Sequence, residues 1–225
     1  MSAADPRVGE ALAWLERRGS KRVRDDMVKR YGIVTPKAFG VPMRQIQELA
    51  KRLGRDHALA AALWKTGWYE ARTLTAYVDE PGRVTAAQMD RWVKQFDNWA
   101  IGDTLSFCLF DRTPHAWQKI KQWSVRREEF VKRTAFALLA SLAGHDKTTG
   151  DAPFLASLKL IERGATDERN FVKKGVSWAL RSVGRRNRVL RAAGLATARR
   201  LTESSEPSAR WIGRDAVRYL TKVKS

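Results

Sequence analysis

The chain has 225 residues, with 43 Lys or Arg against 24 Asp or Glu for a net charge of +19, one cysteine, nine tryptophans and 44% hydrophobic residues. A chain of this length buries about 70% of the surface that it exposes when unfolded, so intrinsic disorder and a small disulfide-stapled scaffold are both excluded. Cys108 alone cannot make an internal disulfide, a Cys-based zinc site or an iron–sulfur cluster. With only His57, His115 and His145 besides, all far apart in sequence, the expectation is a protein without metal or cofactor.

Residues 1–19 are charged throughout and no run of about 18 apolar residues occurs, so neither a secretory signal nor a membrane span is expected. That reads as a soluble cytoplasmic protein, nucleoid-associated in a bacterium. Helical periodicity recurs from end to end, without alternating β-branched runs or Asn-Gly turns, so the chain is expected to be all-α. In chain order, Thr35 and Pro36 interrupt the early pattern and Pro42 opens a helix over 42–54. Gly54 and Asp56 then supply a stop and a cap, and Asp79 to Gly82 form a turn before Thr85. Thr113 and Pro114 read as N-cap and first helical residue, Asp167 as the cap of a helix over 168–184, Gly184 as its stop, and Pro207 as the start of the last helix. Helices of 10 to 17 residues joined by short polar turns, with no long heptad run, suggest a single domain over 1–225. Its expected architecture is a HEAT-like α-solenoid of about a dozen helices in antiparallel pairs with a basic concave face.

Charge is concentrated toward the C-terminus, where residues 104–225 hold 25 of the basic and 11 of the acidic residues. Dense runs include Arg126, Arg127, Lys132 and Arg133, then Lys173, Lys174, Arg181, Arg185, Arg186, Arg188 and Arg191, with a smaller cluster over 21–30. Basic stripes on separate helices fit a duplex-binding surface, and the alternative is a membrane surface or general stickiness.

Helical phase separates core from outward positions at about 100° per residue. Over 171–185, Val172, Val176, Ala179, Leu180 and Val183 form the apolar stripe, while Trp178 falls opposite among Lys174, Arg181 and Arg185. A tryptophan so placed can stack on a nucleotide, or pack under a neighbouring helix. Over 99–109, Ile101, Leu105, Cys108 and Leu109 read as buried, with Trp99, Asp103 and Ser106 on the other face. Trp99 and Asp103, four apart, set an aromatic plate beside a carboxylate, unless Asp103 merely pairs with a surface cation. Over 128–143, Val131, Ala135, Leu138, Leu139 and Leu142 define the core and Arg133 points away from it.

In the segments YGIVTPKAFGVPMRQIQELAK, LWKTGWYEARTLTAYV, FDNWAIGDTLSFCLF, FVKRTAFALLASL and NFVKKGVSWALRSVGRRN, in that order, the chain resembles the AlkD-like DNA alkylation repair glycosylases. The resemblance implies a helical solenoid cradling duplex DNA and excising cationic N3- or N7-alkylated purines without a base-flipping pocket. It also implies that Asp103 is the catalytic carboxylate, that Trp99 and Trp178 are the cleft tryptophans and that Arg133 lies near the DNA backbone. Arg133, Lys173, Lys174, Arg181 and Arg185 are the expected phosphate contacts, and one duplex suits a monomer. Tyr31 and the 21–30 cluster match less sharply. Two alternatives stay open: a non-catalytic member that binds distorted or branched DNA, and a scaffold for an acidic protein. The isolated histidines and the lack of GxxxxGK[ST] or GxGxxG argue against nucleophilic hydrolysis and a nucleotide cofactor.

Overall fold

A computed structural model describes residues 5–222 and shows thirteen α-helices, with two 3₁₀ turns and no strand among the described residues. The helices are α1 (Pro6–Glu16), α2 (Lys21–Tyr31), α3 (Met43–Leu53), α4 (His57–Lys65), α5 (Tyr69–Val78), α6 (Ala86–Val93), α7 (Trp99–Cys108), α8 (Ala116–Trp123), α9 (Glu129–His145), α10 (Asp151–Gly164), α11 (Asn170–Arg185), α12 (Arg188–Thr202) and α13 (Pro207–Leu220). They run from 8 to 17 residues, so the shortest fall below the expected range. Met1–Pro114, with α1 to α7, form one compact unit and His115–Ser225, with α8 to α13, a second.

Many boundaries follow from local chemistry. Pro42 precedes α3, Gly54 ends it, and Asp56 starts α4 by accepting from the Leu59 N–H at 2.9 Å. Thr85 caps α6 in the same way, and Pro207 opens α13. Two expected caps belong elsewhere. α8 starts at Ala116 rather than Pro114, because Thr113 is buried and donates its hydroxyl to the Phe110 carbonyl at 2.8 Å, closing the preceding 3₁₀ turn. α11 starts at Asn170, because Asp167 binds the Arg169 N–H at 3.2 Å, the Arg169 guanidinium and Lys132 instead of a helix end. Those bonds, with Arg169 the largest influence, hold the Asp167 carboxyl far below its ordinary range. Gly184 is a third correction: it lies inside α11, buried under Leu220 of α13, and is not a stop.

In the first unit α5 is the centre and packs on α3, α4 and α7. Its Glu70 is wholly buried and accepts from the backbone N–H groups of Phe39, Gly40 and Val41 at 3.0, 2.7 and 3.2 Å. This draws the eleven-residue connection between α2 and α3 onto the core, helped by Phe39 stacked on Trp68 at 3.8 Å and by a positive φ of 80° at Gly40. In the second unit α9, α11 and α13 lie side by side, with α8 against α9, and α10 and α12 against α11. Gly213 lets α13 seat on α12: a methyl group there would stand 2.6 Å from both the Ala198 carbonyl oxygen and the Thr202 nitrogen. The tryptophan excess is partly structural, since Trp14, Trp64, Trp92 and Trp123 are buried and Trp64 stacks on Trp92 at 4.3 Å.

Candidate functional site

Asn98 starts α7. Its side-chain oxygen accepts from the Ala100 and Ile101 N–H groups at 3.0 and 3.2 Å, and its amide donates to Asp97 at 2.6 Å, with only 1% of the residue exposed. Its signal in the sequence is an Asn directly ahead of a helical run. Trp99 is therefore the first helical residue and Asp103 stands one turn further on, both half-buried. The Trp99 indole donates to the Tyr31 backbone carbonyl at 2.9 Å, which ties its plane to the end of α2, where Gly32 terminates the helix at a φ of 62°. Tyr31 is exposed, with the Arg30 guanidinium 5.7 Å from its ring centre. The first unit thus unites an oriented indole, a carboxylate, a tyrosine and a cation.

The phase assignment on α7 holds for Ile101 and Leu105, which are buried, and for Trp99 and Asp103. It fails at two positions: Ser106 is wholly buried, because α7 packs against α5, and Cys108 is half-buried near the helix end. Burial pushes the Cys108 thiol up and outweighs the neighbouring Tyr77 hydroxyl and Arg112. His57 is also less isolated than its sequence neighbourhood suggests. Its Nδ1 lies 2.6 Å from the wholly buried Asp79, which also accepts from Gln88 at 2.7 Å and so ties α4 to the turn before α6.

In the second unit α11 carries the expected apolar stripe, and Val172, Val176, Ala179, Leu180 and Val183 are all wholly buried. Beside it, Lys173, Ser177, Arg181 and Arg185 recur every four residues and face Trp211, Asp215 and Tyr219 of α13. Lys173 sits 5.1 Å from the Trp211 ring, Ser177 donates to Asp215 at 2.6 Å, Arg181 lies 3.4 Å from Asp215 and 5.2 Å from the Tyr219 ring, and Arg185 reaches the Tyr219 hydroxyl at 3.5 Å. Burial alone would raise the Asp215 carboxyl. The Ser177 hydrogen bond and the charges of Arg181 and Arg218 prevail and leave it below its ordinary value, so part of the Arg181 charge is met within the protein. Lys174 and Arg185 are exposed, and Trp178, one turn after Lys174, is half-buried between them. Lys173, Lys174, Trp178, Arg181 and Arg185 share one helix.

Arg133 does not point away from the core. It is buried, at 7% exposure, and donates to the Phe171 carbonyl at 2.8 Å, because every residue of α9 from Arg133 to Ala143 is covered once α8 and α11 pack on it. A helix buried on all sides has no outward face for a phase argument to find. Of the sequence-derived candidates, Trp99 and Asp103 stand together in the first unit, while Lys173, Lys174, Trp178, Arg181 and Arg185 stand together in the second. Among the described residues no three His, Cys, Asp or Glu side chains gather as a metal ion would require, and no helix is long and apolar enough to cross a membrane.

A family model for DNA alkylation repair enzymes matches residues 13–220. Among solved structures, the chain is similar to one described as belonging to a new family related to the HEAT-like repeat DNA glycosylases, with affinity for branched DNA structures. The TM-score is 0.77 at 16% identity, with 94% of each chain covered, which is a likeness of fold. No curated protein sequence matches the chain. With the family model spanning nearly the whole of an all-helical, HEAT-like fold, the chain belongs to the DNA alkylation repair enzyme family.

Proposed function

We propose that the protein is a DNA glycosylase that hydrolyses the N-glycosidic bond of cationic N3- or N7-alkylated purines in duplex DNA, without flipping the base. The observation that carries this reading is the Trp99–Asp103 pair, set on the first turns of α7 by the Asn98 cap, with the Trp99 indole held by the Tyr31 carbonyl. An N-alkylated purine is already positively charged, so it departs with the bonding electrons and needs no protonation. The deoxyribose left behind gains oxocarbenium character. Asp103, half-buried on α7, stabilises that cation through its negative charge. It also orients the water whose oxygen bonds to C1′ and whose proton is released, giving free base and an abasic site.

Trp99 packs against the sugar and offers π-density to the cationic nucleotide, worth about 0.5–2 kcal/mol, and Trp178 on α11 offers a second aromatic face to the DNA. Lys174 and Arg185 hold phosphates, with Lys173 and Arg181 beside them, and these contacts position the duplex without reading sequence. Arg133 serves as a positioning residue through its bond to the first turn of α11. One monomer on one duplex suffices.

The test is single-turnover excision from duplex DNA carrying one N7-methylguanine, scored as alkali-labile abasic sites. Asp103→Asn is expected to slow excision by about 10²–10³-fold with duplex affinity unchanged; excision at the wild-type rate would remove Asp103 from the mechanism. A second reading, binding of branched DNA without chemistry, draws on the relative described by that affinity. It would be established by tight binding to a four-way junction together with no excision of either N7-methylguanine or N3-methyladenine.

A further inference from the structure

Between α8 and α10 the second unit has a groove of about 680 Å³ that none of the proposed DNA-facing residues lines. The two helices touch through Trp117 and Phe154, edge to face at 5.0 Å, and Trp117, Ile120, Ala156 and Leu160 form its apolar walls. Lys121 and Arg163 stand among the lining residues, and no acidic side chain among the described residues does. The acid next to Arg163, Glu162, turns instead to Arg200 of α12. Along α10, Ala152, Ala156, Leu160 and Arg163 recur at helical spacing, and the two alanines are exposed. Small side chains beside larger apolar ones, along two helices, form the kind of furrow into which a third helix packs.

We infer that this groove docks an acidic amphipathic helix of a partner protein. The choice of occupant rests on charge. A second copy of this chain would bring another +19 and the same cationic rim, so self-association is opposed electrostatically. Nucleic acid would set its phosphates against apolar walls that offer few donors. A helix with Leu or Ile on one face and Glu on its flanks satisfies both the walls and Lys121 and Arg163.

The experiment uses the full chain and a fluorescein-labelled synthetic peptide of about 16 residues, with Leu on one helical face and Glu elsewhere, read by anisotropy at about 0.15 M salt. Its control is a peptide of the same composition with the leucines spread around the helix. The faced peptide is expected to bind at least about tenfold more tightly than the control. Saturating duplex DNA is expected not to displace it, and Ala156→Arg, a change at an exposed helical position, to abolish the preference while leaving duplex affinity unchanged. Equal binding of the two peptides, displacement by DNA, or a preference that survives Ala156→Arg would overturn the proposal. So would a concentration-dependent dimer, seen by sedimentation and lost in Ala156→Arg, which would make a second copy the occupant.

Discussion

Arg133 shows how far a single residue can depart from its apparent place. By helical phase it leaves the core stripe, yet its guanidinium spans from α9 to the Phe171 carbonyl of α11, and its aliphatic stem packs by Gly175. A charged donor removed from a buried site leaves an acceptor unmet and a void, so Arg133→Ala is expected to cost about 1.5–3 kcal/mol of unfolding free energy, measured in urea. The salt dependence of DNA affinity should stay at its wild-type slope in this variant; a lower slope would mean that the guanidinium meets a phosphate after all. Periodicity places Trp99 and Asp103 off the core of α7, where both are half-buried, although Ser106 on the same face is buried. Arg133 was not legible in this way, because two neighbours enclose its helix. The Trp99 bond to Tyr31 was equally invisible, since it joins positions 68 residues apart through a backbone atom that no side-chain pattern reports.

At the scale of elements, the all-helical architecture and the starts of α3, α4, α6 and α13 were readable, the latter from Pro42, Asp56, Thr85 and Pro207, since capping is a short-range effect. The starts of α8 and α11 were not, because Thr113 and Asp167 have two possible uses and tertiary neighbours decide between them. Asp167 is taken by Lys132, 35 residues away, and no local rule weighs that competitor against a helix end. Gly213 tests the packing of elements directly. Gly→Ala within a helix usually gains about 0.5–1 kcal/mol, and Gly9→Ala in α1, where the new methyl group meets nothing within 4 Å, is expected to do so. Gly213→Ala, whose methyl group would meet backbone of α12 at 2.6 Å, is expected to lose about 1–3 kcal/mol instead. Two denaturation curves decide it, and equal effects at the two glycines would contradict the close seating of α13 on α12.

For the whole molecule, an excess of 19 positive charges is the feature that composition reported most directly. If the partner is duplex DNA, log affinity falls linearly with log salt, and each phosphate contact adds about 0.9 to the slope. Lys174→Ala and Arg185→Ala are each expected to reduce it by about 1, while an unchanged slope in both would move the duplex off α11. The connection between α2 and α3 bears on a different property. A helix-free stretch of eleven residues is ordinarily among the first parts of a protein to open, yet here three consecutive amides are held by the Glu70 carboxylate at the centre of the first unit. Their protons can be released only when α5 itself loosens, so deuterium uptake at Phe39, Gly40 and Val41 is expected to track cooperative unfolding of that unit. The exposed Val34, a few residues earlier in the same stretch, should exchange within the dead time of the experiment.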